Sequence, residues 1–169
     1  VSITMKIALV QIALIWENPI QNRKLLDEKI NAISENIELF ILPEMFTSGF
    51  TMNPNNVAET MDGETISWLK SVAKSRNCAI TGSLVIKENE NFYNRLVFVF
   101  PSGEIQYYDK KHLFTLAGED KVYTSGNDKL IIEYKGFKIC PLICYDLRFP
   151  VFARNVEGLG SEGDALICI

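Results

Sequence analysis

With 169 residues, 47% of them hydrophobic and 22% charged, the chain has enough apolar material for one domain with a real core and does not resemble a disordered or fibrous protein. A net charge of -4 and the lack of any Lys/Arg run argue against a nucleic-acid surface, and no apolar run reaches the roughly 18 residues needed to cross a bilayer. The N-terminus lacks the order of a signal peptide, and four cysteines without C-x-x-C spacing beside one histidine form neither a familiar zinc site nor a disulfide framework, so reduced thiols, no metal and a cytoplasmic setting are expected.

Lys6 to Leu14 is a near-continuous apolar run, which predicts a central strand covered on both faces. Asn18-Pro19 is a helix start, and Leu26, Ile30 and Ile33 recur at helical spacing, predicting a helix from about Pro19 to Ser34. Glu38 to Leu42 is a second buried strand, ending at Pro43-Glu44. Thr51 to Met61 looks irregular enough to cover a site. A second amphipathic helix opens at Asp62-Gly63-Glu64 and buries Ile66, Leu69 and Val72.

Strands dominate from there. Cys78 to Lys87 and Tyr93 to Phe100 read as a hairpin across the polar Glu88 to Asn91, and Pro101-Ser102-Gly103 turns the chain into Ile105 to Tyr108. A long polar loop from Thr115 to Asn127 invites a functional role. Lys129 to Tyr134, the Lys135-Gly136 turn and Phe137 to Ile143 form a last hairpin. Beyond it, Phe149 to Val156 is a candidate helix, Gly158 to Gly163 a flexible stretch and Ala165 to Ile169 a strand. Strand-helix-strand order first and hairpins later predict a mixed sheet in an α/β layered domain, one domain over residues 1–169.

The last hairpin delivers Cys144 to an abrupt corner, because D-L-R-F-P over Asp146 to Pro150 halts the apolar run. There a side chain can stand clear of the sheet, and the amide of Tyr145 can face an anion. The competing reading is a buried structural thiol, the commoner fate of free cysteine, and a thiol of reference pKa about 8.5 needs a base and a cation to react. Glu44, Lys110 or Lys111, and Cys144 all lie just past the carboxyl ends of predicted strands, the edge where open α/β folds gather ligands. Together they supply base, cation and nucleophile. Cys78, Cys140 and Cys168 lie within strand patterns and read as core, while Trp16, Phe50 and Trp68 could line or cover a pocket but read better as buried packing.

The segments L-P-E-M-F at Leu42 to Phe46, Y-D-K-K-H-L-F at Tyr108 to Phe114 and C-Y-D-L-R-F-P at Cys144 to Pro150 resemble the nitrilase superfamily of carbon-nitrogen hydrolases, from Lys6 to about Asn155. T-S-G-F-T-M with H-L-F-T-L-A-G-E is most similar to its omega-amidase branch, which hydrolyses the terminal amide of small keto-acid amides. The resemblance implies an α-β-β-α sandwich, Glu44 as general base, Lys110 as the catalytic lysine, Cys144 as nucleophile and Glu119 as the second glutamate. Substrate contacts would come from Tyr145, Arg148 and Phe50, with Asp146 and Arg148 bracing the turn and His112 organising the loop. It further implies a thioester intermediate, no cofactor, a small-molecule amide as partner and a possible homodimer. After Asn155 the sequence departs from the family pattern, so the C-terminal part reads as missing or divergent. The alternatives are an inactive domain that associates with another chain, and a thiol peptidase with His112 as base.

Overall fold

The computed structural model describes residues 4–153 and 165–169. Strands β1 (Ile7–Leu9), β2 (Leu39–Ile41), β3 (Ala79–Glu88), β4 (Asn91–Val99) and β5 (Ile105–Asp109) form one sheet in that order, and β6 (Ile132–Tyr134), β7 (Phe137–Leu142) and β8 (Ala165–Cys168) form a second. Both sheets are mixed. β1, β2 and β3 run parallel while β4 and β5 join antiparallel, and β7 is antiparallel to β6 but parallel to β8.

The period-two alternation of the strands decides which layer each side chain enters. Phe40, Leu42, Ile80, Leu84, Ile86, Val97 and Val99 point to one face, where helices α1 (Pro19–Asn31) and α3 (Glu64–Arg76) cover them with Leu26, Ile30, Ile66, Leu69 and Val72. The intervening Leu39, Ile41, Ala79 and Phe98 meet Ile132, Tyr134, Ile139 and Ile167 of the second sheet. Each wholly buried leucine or isoleucine in these layers contributes about 1.5–3 kcal/mol. On the far side of the second sheet, Ala153 of the short helix α4 (Pro150–Ala153) packs on Cys140 and Leu142. This is the layering that the resemblance implies.

Local signals hold where they were strongest. Asn18 caps α1 by accepting a bond from the Gln21 amide at 3.1 Å, with Pro19 in the first turn. α3 ends on Asn77 in the left-handed conformation. The β3–β4 hairpin is tighter than expected: Asn91 pairs with Glu88 across Asn89-Glu90, with Asn89 at φ 53°.

The first apolar run is a correction. Only Ile7–Leu9 is strand, it forms the edge of its sheet, and Ile7 and Leu9 are 42% and 77% exposed. An apolar run predicts burial on both faces, but among the described residues only β2 pairs with this strand, on one side. The irregular stretch also contains one short helix, α2 (Pro54–Val57). The Gly158 to Gly163 stretch and the end of the Phe149 to Val156 helix lie outside the described residues.

Candidate active site

Three elements bring the expected residues together. Glu44 follows β2 at a sharp corner where Met45 adopts φ 45°. The corner is held by β3: the Met45 amide donates to Ser83 Oγ at 2.9 Å and the Phe46 amide to the Ser83 carbonyl at 3.0 Å. Gly82 makes this crossing possible, because a Cβ there would meet Leu42 Cβ at 2.7 Å and Phe46 Cδ1 at 2.8 Å.

Lys110 follows β5, and its side chain is wholly buried. Its Nζ donates to Glu44 Oε1 at 2.8 Å and to Glu119 Oε1 and Oε2 at 3.2 and 3.0 Å. Burial works against the Lys110 ammonium, but the two carboxylates outweigh it and its pKa lies above the ordinary lysine value. Glu119 sits in a short 3-10 helix (Glu119–Lys121), fully buried, and also accepts the Phe114 amide at 2.6 Å. Of the two candidate lysines, Lys110 therefore belongs to the cluster. Lys111 instead reaches the Asn127 carbonyl at 3.2 Å.

Cys144 opens a 3-10 helix (Cys144–Arg148) just past β7, with φ 40°, a conformation that L residues other than Asn or Asp seldom adopt. Its amide donates to the Ile169 carbonyl at 2.6 Å. The residue is exposed, and the Glu44 carboxylate and the Lys110 ammonium both act on its thiol. The thiol pKa is raised, first by burial around the sulfur and then by the Glu44 carboxylate, while Lys110 acts in the opposite sense. Glu44 and Lys110 are in direct contact and both act on the Cys144 thiol, whereas His112 is engaged by Asp146.

The buried Asp146 carboxylate braces the corner as expected. It accepts the Tyr108 hydroxyl at 2.8 Å, the His112 amide at 2.9 Å and the Ile143 amide at 3.1 Å, and it contacts His112 Nδ1 at 2.8 Å. One carboxylate thus ties the segment carrying Lys110 to the segment carrying Cys144. His112 stacks on Phe149 with ring centroids 3.8 Å apart.

Phe50 lies against the ammonium, 5.2 Å from Lys110 Nζ to the ring centroid. Its neighbour Phe114 is 6.4 Å away, and Tyr145 stands 5.1 Å beyond that. The loop carrying Phe50 is pinned by Asn22, which donates to the Thr47 carbonyl at 2.8 Å, and by Tyr123, whose hydroxyl donates to the Thr51 carbonyl at 2.7 Å. A cleft of about 470 Å³ at Cys144 is lined by Phe114, Leu116, Tyr145, Leu147 and Arg148. Arg148 is exposed there and has no side-chain partner among the described residues.

Two expectations need correction. Cys78 and Cys140 are core, but Cys168 is exposed at the end of β8, its Sγ 3.8 Å from the Cys144 carbonyl oxygen. Trp16, expected to be buried, is 61% exposed, because it lies over Gly49 on the outside of the loop. Sequence reasoning also passed over Asn94, whose Nδ2 donates to Glu44 Oε1 at 2.9 Å and Glu119 Oε1 at 3.2 Å. Its signal was a polar residue in step with Leu96 and Phe98 on the inner face of β4.

Two facing mixed sheets flanked by helices, with a carboxylate, an ammonium and an exposed thiol at their strand ends, define an α/β sandwich class, and comparison with known proteins makes that class specific. The chain belongs to the carbon-nitrogen hydrolase family, whose sequence description matches residues 6–163. It is 38% identical over 153 residues to the omega-amidase YafV of Escherichia coli K12, covering 90% of this chain and 59% of that protein. It is 32% identical over 159 residues to the 2-oxoglutaramate amidase of Bacillus subtilis, covering 92% of this chain and 61% of that one. Among solved structures, a CN-hydrolase superfamily protein from Xanthomonas campestris superposes with a TM-score of 0.90 at 38% identity, over 97% of this chain and 64% of its own. An amidase from Nesterenkonia sp. AN1 shares the fold, with a TM-score of 0.85 at 24% identity. The chain thus spans about three-fifths of the length of the curated relatives it matches.

Proposed function

We propose that the chain carries out cysteine-dependent hydrolysis of the terminal amide of a small carboxylic or keto acid, in the manner of an omega-amidase. The observation that carries this reading is the Glu44 carboxylate, held at Oε1 by the buried Lys110 at 2.8 Å and acting with that ammonium on the exposed Cys144 thiol. Glu44 takes the thiol proton as sulfur attacks the amide carbon, and the developing oxyanion is stabilised by the Lys110 ammonium and the Tyr145 amide. That amide lies in the first turn of a 3-10 helix, where N–H groups have no intrahelical acceptor.

Collapse breaks the C–N bond, the proton on Glu44 passes to the leaving nitrogen, and ammonia departs from a thioester. Glu44 then takes a proton from water as it attacks the thioester; the C–S bond breaks and sulfur recovers the proton. The balance is amide plus water to acid plus ammonia. Glu119 keeps the ammonium in place. Phe50, Phe114 and Tyr145 wall the acyl chain, and the exposed Arg148 guanidinium takes its distal carboxylate.

The test is ammonia release from 2-oxoglutaramate, the compound named for the Bacillus relative, alongside amides without a second carboxylate. The unaltered chain should favour the former, and Cys144→Ala should lower turnover by at least about a thousandfold. Turnover unchanged by that substitution refutes the proposal. A second reading, an inactive domain that works by associating with another chain, is favoured by the exposed Leu9 and Leu166. It predicts no ammonia from any amide tried.

A further inference from the structure

We propose that Asn94 is a positioning residue for Glu44: its amide fixes Glu44 Oε1 and thereby turns Oε2 toward the Cys144 thiol. The inference rests on the amidase reading for the role of Glu44, but not for its geometry. Asn94 lies in β4 opposite Val85 and is 1% exposed. Its Nδ2 donates to Glu44 Oε1 and Glu119 Oε1, and its carbonyl accepts the Lys110 amide at 3.0 Å. One residue therefore holds three members of the cluster.

Lys110 alone cannot orient Glu44, because its ammonium is shared with both oxygens of Glu119. Asn94 and Lys110 converge on the same oxygen, Oε1. Among the described residues no nitrogen donor reaches Oε2, so that oxygen is the one available to the thiol.

The orientation of the amide follows from chemistry. A carboxylate only accepts hydrogen bonds, so Oδ1 turned toward Glu44 and Glu119 would be repelled by both. The consequence is that Oδ1 is buried without a partner among the described residues. An asparagine serving packing alone would avoid that penalty. Aspartate here would add a third negative charge, and a shorter side chain would release Oε1.

The charged and titratable groups acting on the Cys144 thiol are Glu44 from the end of β2, Lys110 from the end of β5 and Cys168 from β8, with Glu119 behind Lys110. The test reads this environment directly, as the pH midpoint of iodoacetamide alkylation of Cys144, followed by peptide mass spectrometry. Asn94→Ala should move the midpoint to lower pH, in the direction of Glu44→Gln, because the thiol loses an oriented carboxylate. In a Glu44→Gln background the same change should add no further shift. On the amide, kcat should fall about ten- to a hundredfold with KM nearly unchanged.

Asn94→Ser, which keeps a donor in a smaller volume, takes the place of the alanine variant should that one lose its cooperative melt. A midpoint equal to that of the unaltered chain, or an equal shift in the Glu44→Gln background, overturns the proposal. Alkylation needs no substrate, so a failure of the amidase reading, seen as absent ammonia release, is distinguishable from a failure of this one.

Discussion

At Cys144 the surroundings oppose ionisation. Although the residue as a whole is open to solvent, burial around the sulfur is the largest cause raising its pKa, Glu44 adds to it and Lys110 only partly counters. On the proposed mechanism the sulfur reacts from its thiol form, and its proton passes to Glu44 as it attacks. Replacing Glu44 with Gln removes a negative charge that raises the thiol pKa. The alkylation midpoint of Cys144 should then move to lower pH, while ammonia release falls by about a hundredfold or more for want of a base. An unmoved midpoint would show that the carboxylate does not act on the sulfur. The types of these residues and their order along the chain were legible in L-P-E-M-F, D-K-K-H-L-F and C-Y-D-L-R-F-P. Asn94 was only partly so, because a polar residue in the apolar phase of a strand does not name its partners, and these lie 50 and 25 residues away.

Among the elements, the crossing of the β2–Glu44 corner over β3 matters most to the site. It depends on the missing side chain of Gly82, so Gly82→Ala should force Phe46 and Leu42 outward. The expected loss is about 1–3 kcal/mol of stability, read as a lower melting temperature. A fall in kcat should accompany it, because Glu44 follows Leu42 by two residues. A melt and a kcat equal to those of the unaltered chain would show that the corner relaxes without strain. Helices α1 and α3 and the β3–β4 hairpin were readable from capping residues and periodicity, both local signals. The weight of the first strand was misread, since an apolar run does not say how many neighbours the strand will have.

Across the whole molecule, two sheets close on one core and leave β1 as an edge, with Leu9 77% exposed, while Leu166 of β8 is 42% exposed. Open strand edges with apolar side chains are templates for pairing. Sedimentation should show concentration-dependent association of the chain, and Leu9→Lys should reduce it with little change in ammonia release. Association unaffected by the lysine would place the contact elsewhere.

The sequence by itself determined the alternation of the strands, the amphipathic helices and the kinds of chemical group at three strand ends, because each is written in neighbouring residues. Only the tertiary structure decided that Lys110 bridges Glu44 and Glu119, that Asn94 binds both glutamates, that Asp146 ties the lysine segment to the cysteine corner and that Cys168 and Leu9 face outward. These depend on which strands become neighbours and which faces are covered, and such contacts join residues whose separation along the chain carries no local trace of their meeting.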